Sequence, residues 1–304
     1  MSRVVLTGAT GLIGRHLAAA LAARGDTPVL LSRRSELVAG MQTLRWNPAI
    51  EPIPAQAVAG ALAIVNLAGH PIGAGRWNAG QRRRILESRQ TTTMRCVDAL
   101  GGDGPGIFVS ASAVGYYGGT DGPVDESSPA GDDFLATICA RWEGAARQAE
   151  DKARVVLVRT GIVLSEEGGV LPRLVRVTRL GAAGALGSGR QWVPWIHLDD
   201  EVAALLACID DHRLVGPVNA VAPEPVRQRD FARALARLEH RPSLLRAPAP
   251  ALRLLLGEMA DLVLLGQRVL PSKLVARGFE WQFSTLVPAL EDLLVMPPGI
   301  EVVP

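Results

Sequence analysis

The sequence predicts an α/β fold, a doubly wound parallel sheet followed by a smaller C-terminal α/β lobe. Two observations carry this. Short runs rich in β-branched residues alternate with longer helical patterns, the arrangement that gives a parallel sheet covered on both faces. A glycine-rich segment, Thr7-Gly8-Ala9-Thr10-Gly11-Leu12-Ile13-Gly14, joins the first such run to the first helix. With 304 residues, 48% of them hydrophobic, the chain is able to bury a real core.

Taken in order, strands are expected at 4–7, 29–32, 63–67, 107–110, 155–159 and 192–196, with helices at 12–24, 79–100, 132–150 and 169–180 between them. After His197 the pattern changes to helices at 198–211 and 229–240, separated by a stretch holding Pro217, Pro223 and Pro225. Two further helices, 251–265 and 284–295, flank a short strand at 279–283. The division expected is 1–224 for the first domain, with 160–197 contributing to its cleft, and 225–304 for a largely helical lobe.

A formal net charge of +2 gives no reason to expect nucleic acid or an anionic membrane, and points to small-molecule ligands. Lys152 and Lys273 are the only lysines, so arginine carries nearly all the positive charge. Cys96, Cys139 and Cys208 are odd in number and widely spaced, which fits neither a disulfide framework nor a metal cluster, so no metal is expected. The opening residues enter a strand directly, and the apolar stretch 251–266 is broken by Arg253, Glu258 and Asp261 and is too short to span a bilayer. A cytoplasmic monomer or homodimer is the expectation.

The glycine segment carries the first functional reading. Gly8 and Gly11 remove side chains that would keep a pyrophosphate from the backbone, Gly14 lets helix pack on strand, and the helix N-terminus offers amide donors. Thr10, Leu12 and Ile13 complete the loop, which makes the first domain Rossmann-type. A site selective for NAD places an acid on the ribose about 20 residues beyond the glycines. Here the second strand ends in Ser32-Arg33-Arg34, whose guanidinium groups suit a 2′-phosphate, so NADP(H) is expected over NAD(H).

The T-G-x-x-G-x-x-G spacing resembles the short-chain dehydrogenase/reductase superfamily. Asn66-Leu67-Ala68-Gly69 resembles its N-A-A-G element, which shapes the adenine side of the cofactor groove. The run from Ser110 and Ala111 through Ser112 to Tyr116-Tyr117-Gly118 resembles the S-S-x-x-V-Y-G stretch of extended members, in which a serine hydrogen-bonds the reacting oxygen. Arg76-Trp77, Glu87-Ser88-Arg89, Trp142-Glu143, the 187–192 segment and Trp195-Ile196-His197-Leu198-Asp199-Asp200 extend the likeness over essentially the whole chain. They resemble atypical epimerase-family oxidoreductases that end in a small domain of unknown function, DUF1731, here from about residue 248. The resemblance implies an oxidoreductase or epimerase acting on a small carbonyl or alcohol substrate.

The departure concerns acid/base chemistry. Superfamily enzymes rely on Tyr-x-x-x-Lys, in which the lysine lowers the phenol pKa. Tyr116 and Tyr117 are the only tyrosines, and the helix expected to carry the motif reads Ile138-Cys139-Ala140-Arg141-Trp142-Glu143 instead.

Ser112 is then the candidate for polarising the substrate, or else a structural turn serine; Tyr117 is a proton donor or a packing residue. Glu143 is an acid raised by burial or, preferentially, a partner of Arg141 or Arg147 on a wet face. His197 and Asp199 form an acid/base pair, or Asp199 caps the next helix, the preferred role. Arg76, Trp77, Tyr116, Arg190, Trp195 and His197 are candidates for the substrate side, and Arg159 joins the cofactor side. Arg82-Arg83-Arg84 reads as a solvated helical turn, and Cys139 as a core residue. A protein that binds NADP(H) without catalysis is the alternative reading.

Overall fold

The computed structural model describes residues 1–102 and 104–294. An eight-stranded sheet forms its centre. Its strands are β1 (Arg3–Thr7), β2 (Thr27–Ser32), β3 (Leu37–Val38), β4 (Met41–Arg45), β5 (Ala61–Asn66), β6 (Ile107–Ala113), β7 (Arg154–Thr160) and β8 (Gly216–Ala220), in the order β8-β7-β6-β5-β1-β2-β4-β3. Only the β3–β4 pair is antiparallel. The chain moves outward from β1 through β2 and β4, then returns to β5 and continues the other way. The reversal lies between β1 and β5, where open α/β sheets form their crevice.

Period-two alternation explains why both faces are covered. Val4 and Leu6 of β1, with Val156 and Val158 of β7, face one core; Val5, Val155 and Leu157 face the other. Helix α1 (Leu12–Ala23) covers the first face. Helices α2 (Ala79–Asp98) and α3 (Phe134–Arg147) cover the second, and α4 (Leu198–Asp210) returns to the first. Asn78 and Asp133 cap α2 and α3 by accepting from Gln81 N and Ala136 N, each at 2.8 Å.

Beyond α4, helix α5 (Gln228–Leu238) and the last described helix, α6 (Leu286–Leu294), build a third core with the chain that follows β7. In it Leu164, Leu171 and Trp195 pack with Phe231, Leu235, Phe283, Leu286 and Leu290. Short strand pairs stitch the C-terminal part to earlier loops: Gln267–Val269 with Thr120–Val124, Gly184–Leu186 with Leu245–Ala247, and Trp192–Val193 with Val226–Arg227.

Several sequence expectations change. Residues 216–220, read as part of a Pro/Gly connection, are the edge strand β8, where Pro217 is tolerated because one side of an edge strand has no ladder to donate to. The expected strand 192–196 is two short strands, Trp192–Val193 and Trp195–His197, outside the main sheet. Residues 279–283 are not a strand, and the helix expected at 251–265 breaks at Gly257, whose φ is 62°. In the helix expected at 284–295, Val295 lies outside the described residues. No described helix is long and apolar enough to cross a membrane.

Candidate functional site

The glycine turn lies on the sheet reversal. Gly8 has φ 71°, Gly11 N donates to Gly8 O at 3.0 Å, and α1 starts at Leu12. A Cβ on Gly8 would fall 2.7 Å from the Leu67 carbonyl carbon, and one on Gly14 would fall 2.3 Å from Gly8 O. Glycine is therefore dictated here by converging backbones, at Gly8 by the 67–68 loop and at Gly14 by the turn itself. Gly11 gives α1 no side-chain cap, leaving the amides of its first turn available to a ligand. Above them opens a cleft of about 340 Å³, floored by Gly8, Gly11, Leu12, Ile13, Gly14 and Leu67 and walled by Ile162, Val163, Gly169 and Val170. Thr10 is exposed beside it.

Thr7 pairs with Leu31, so Ser32, Arg33 and Arg34 leave the sheet beside Gly8. Both arginines are exposed. The Ser32 hydroxyl accepts from Arg34 N at 3.2 Å and donates to Glu36 Oε1 at 3.0 Å. An acid does therefore stand at this strand end, four residues later than sequence reasoning looked for it. Thr43 brings it back: its hydroxyl accepts from Glu36 N, and its side chain also bridges the carbonyls of Arg34 and Glu36, all at 3.0 Å.

At the carboxyl edge of β6 and β7 a buried polar chain assembles. The Ser112 hydroxyl donates to Glu143 Oε1 at 2.7 Å. Arg159 grips the same carboxylate through Nε at 2.8 Å and Nη2 at 2.9 Å, and its Nη1 donates to Tyr117 OH at 2.9 Å. Tyr117 donates to Asn219 Oδ1 at 2.6 Å, and Asn219 Nδ2 donates to the Leu270 carbonyl at 2.9 Å. Ser112, Tyr117, Glu143 and Arg159 are all at most 5% exposed. Burial pushes the Tyr117 phenol up to about 12, against the pull of Arg159. Burial also works against the Arg159 cation, but Glu143 outweighs it and the guanidinium is raised above its ordinary value.

This network brings together the three residues expected to be catalytic and corrects two roles. Glu143 pairs with neither Arg141 nor Arg147 on a wet face; it is the buried counter-ion of Arg159. Arg159, expected on the cofactor side, spends its donors on Glu143 and Tyr117. Asn219 was missed, because nothing in its local sequence marks a residue that meets Tyr117 across 102 positions.

The remaining candidates disperse. Asn66 is buried, accepting from Thr7 Oγ1 at 2.6 Å and donating to Thr93 Oγ1 at 3.0 Å, so it ties β1, β5 and α2 while Leu67, Ala68 and Gly69 continue past the cleft. Ser110 is buried and Ala111 half-buried in β6. Arg76 is exposed and donates to the carbonyls of Leu254 and Leu255; Trp77 is buried, with its indole on Ile72 O. Arg190 is exposed. Trp195 is 1% exposed within the third core, which removes it from the substrate side. His197 is also buried, and it caps α4: its Nδ1 accepts from Asp199 N at 3.2 Å, the role expected of Asp199. Tyr116 is half-buried, with the Arg159 guanidinium carbon 3.5 Å from its ring centroid.

The doubly wound sheet, the glycine turn at its reversal and the uncapped helix above it define a dinucleotide-binding fold of the short-chain dehydrogenase/reductase type. The family model described as the NAD dependent epimerase/dehydratase family matches residues 4–220, and that of DUF1731, a domain of unknown function, matches 247–293. The chain belongs to the NAD-dependent epimerase/dehydratase family and carries the DUF1731 domain at its C-terminal end. It is 42% identical over 290 residues to an epimerase family protein of Mycobacterium bovis, covering 94% of this chain and 96% of that one. With the epimerase family protein SDR39U1 of Bos taurus the identity is 34% over 300 residues, covering 96% and 99%. The crystal structure of human epimerase family protein SDR39U1 (isoform 2) with NADPH superposes with a TM-score of 0.88 at 33% identity, over 96% of this chain and 99% of that one.

Proposed function

We propose that this chain binds NADP(H) in the cleft over the glycine turn, in preference to NAD(H), and acts as an oxidoreductase or epimerase on a carbonyl or secondary alcohol of a small molecule. The observation that carries the reading is the cleft itself: the open first turn of α1 lies beside a strand end that presents Arg33 and Arg34 to solvent. The NADPH in the human relative's structure supports it. When bound, the nicotinamide supplies or accepts the hydride. The chain supplies the rest. Gly11, Leu12 and Ile13 meet the pyrophosphate, and Arg33 and Arg34 meet the 2′-phosphate. Leu67 through Gly69 shape one side of the groove, and Ile162 and Val163 shield the other. Because Ser112, Tyr117 and Glu143 spend their hydrogen bonds on one another and on Arg159 and Asn219, they hold the edge of the sheet in place. Tyr116, half-buried over Arg159, is the phenol offered to a substrate oxygen.

The test is a calorimetric titration with NADPH and NADH of wild type, of Arg33→Ala with Arg34→Ala, and of Glu36→Gln. The double variant is expected to bind NADPH about tenfold more weakly with NADH unaffected, since it loses two charge-assisted contacts. Removing Glu36 is expected to shift preference further toward NADPH. Failure of both nucleotides to bind overturns the reading. The internal saturation of Ser112 and Tyr117 favours one alternative, a protein that binds NADP(H) without turning it over. Hydride exchange from NADPH to a panel of carbonyl compounds separates the two. If the enzyme reading holds, Tyr116→Phe lowers turnover at unchanged melting temperature, whereas Tyr117→Phe lowers the melting temperature.

A further inference from the structure

The wall of the cleft is tied to a different part of the molecule from its floor. The floor, Gly8 through Gly14, belongs to β1 and α1, whereas the strand Ile162–Leu164 pairs with Trp195–His197 and not with the main sheet. From that strand the chain runs back to α1 as Ser165-Glu166-Glu167-Gly168-Gly169 before the helix Leu171–Val177 begins. Both ends of this strap are fixed. Leu164 and Leu171 are buried in the third core, and the buried Ser165 hydroxyl accepts from Glu167 N at 3.1 Å. Its middle is free to move: Glu166, Glu167 and Gly169 are exposed, and a Cβ on Gly168 would come no closer than 3.7 Å to the Leu12 side chain beneath it, so nothing wedges the strap in place.

One side chain spans the gap between strap and floor. Glu167 Oε2 lies 2.5 Å from Arg15 Nη2 and 3.2 Å from His16 Nε2, on α1 directly after Gly14. Among the described residues these are the only hydrogen bonds that residues 166–169 make to another element. The His16 hydrogen bond, with the Arg15 charge, holds the Glu167 carboxyl below its ordinary value. All three side chains are between 31% and 46% exposed, so the contact breaks without stranding a buried charge. Gly168 and Gly169 follow at once, the latter with φ 74°, and supply the backbone freedom a hinge needs. A contact that is exposed, charged and flanked by glycine suits repeated opening. A ligand on Gly11, Leu12 and Ile13 has Ile162 and Val163 on its far side, and the Glu167 bridge closes the space between floor and wall at one end.

We propose that Glu167, held by Arg15 and His16, is the latch of a strap, residues 165–169, that lifts to let a nucleotide enter or leave the cleft. The proposal rests on the cleft being the dinucleotide site argued above. Glu167 acts on the strap and not on the nucleotide. Because the latch closes the strap whether the cleft is empty or filled, loosening it speeds entry and exit together and leaves affinity nearly unchanged. A residue that contacted the nucleotide would change affinity instead, mainly through exit.

The experiment follows NADPH binding and release by stopped-flow fluorescence in wild type and Glu167→Ala, with thermal melts alongside to check folding. The variant is expected to raise both rates about two- to fivefold, the range an exposed ion pair supports, with the dissociation constant held within about twofold. High salt screens the latch, so the ratio of the two proteins' release rates is expected to fall toward one. Equal rates in both proteins at low salt overturn the proposal, as does a change confined to release, which would make Glu167 a ligand contact. Hydrogen exchange of the unliganded proteins, read by mass spectrometry over 165–170, is expected to be faster in the variant. If NADPH binds neither protein, the cofactor reading fails by itself, and this exchange still decides: faster in the variant, Glu167 holds the strap; equal in both, there is no latch. Should Glu167→Ala not fold, Glu167→Gln, which keeps the shape and removes the charge, carries the same comparison.

Discussion

Glu143 and Glu201 are both buried carboxylates, and they meet the cost of burial in opposite ways. Glu143 stays paired, clasped by two nitrogens of Arg159 and by the Ser112 hydroxyl. Glu201, on α4, has only the Thr160 hydroxyl, donating to Oε1 at 2.8 Å, and its Oε2 has no partner among the described residues. Burial pushes Glu201 up to about 8, from an ordinary value of 4.5, with Thr160 pulling weakly the other way. The sign for stability follows from which state holds the proton. Between those two values the folded chain keeps the Glu201 proton and the unfolded chain has lost it, so the unfolded state gains relative to the folded one as pH rises. The contribution of neutral Glu201 is complete below about 4.5, falls through the interval, and is gone above about 8. Urea denaturation at pH 5 and pH 8.5 is expected to show a drop in stability across that range that Glu201→Gln substantially reduces. An equal drop in wild type and variant would mean that Glu201 ionises normally in the folded protein.

At the scale of elements, α4 is the joint between the sheet and the last helix. The residue before Glu201, Asp200, is 1% exposed and accepts from Gln282 N at 2.7 Å and Phe283 N at 3.0 Å, fixing the chain where it approaches α6. Asp200→Ala leaves the buried Phe283 amide without an acceptor, at about 1–3 kcal/mol, and also removes the part-buried bond from Gln282 N. Limited proteolysis is expected to cut between 278 and 285 faster in that variant than in wild type; unchanged cutting would show that the apolar contacts of Phe283 and Leu286 hold the segment alone. No local pattern in the sequence announces this joint, and the reason is general to the fold. Elements with strong periodicity and clear ends, such as β1, α1, β7 and α4, are legible because their own residues specify them. Strand β8 is not, since Gly216 and Pro217 read as a connection and only pairing with β7 makes them strand. The site divides the same way. The glycine turn and Ser32-Arg33-Arg34 are local signals, whereas the Arg159–Glu143 pair and the Tyr117–Asn219 contact arise from strand order.

At the scale of the whole molecule, the chain's last third is built into its first two thirds. Strand pairing takes Gln267–Val269 to Thr120–Val124 and Leu245–Ala247 to Gly184–Leu186, and His197 Nε2 lies 3.3 Å from Asp292 Oδ2 of α6. Phe283, Leu286 and Leu290 complete the core that holds Leu164, Leu171 and Trp195, residues of the segment that also walls the cleft with Ile162 and Val163. Each large apolar side chain buried contributes about 1.5–3 kcal/mol, so losing these three alone removes an amount comparable with the roughly 5–15 kcal/mol by which domains of this kind are stable. The matched DUF1731 segment, 247–293, is therefore expected to be inseparable from the dinucleotide domain. Calorimetric melting of the full chain should give one cooperative transition whose van't Hoff and calorimetric enthalpies agree. A chain ending at residue 244 should be insoluble or lack that transition. A soluble 1–244 fragment that melts cooperatively and binds NADPH as the full chain does would mean that the third core is an accessory, and that the cleft wall stands without it.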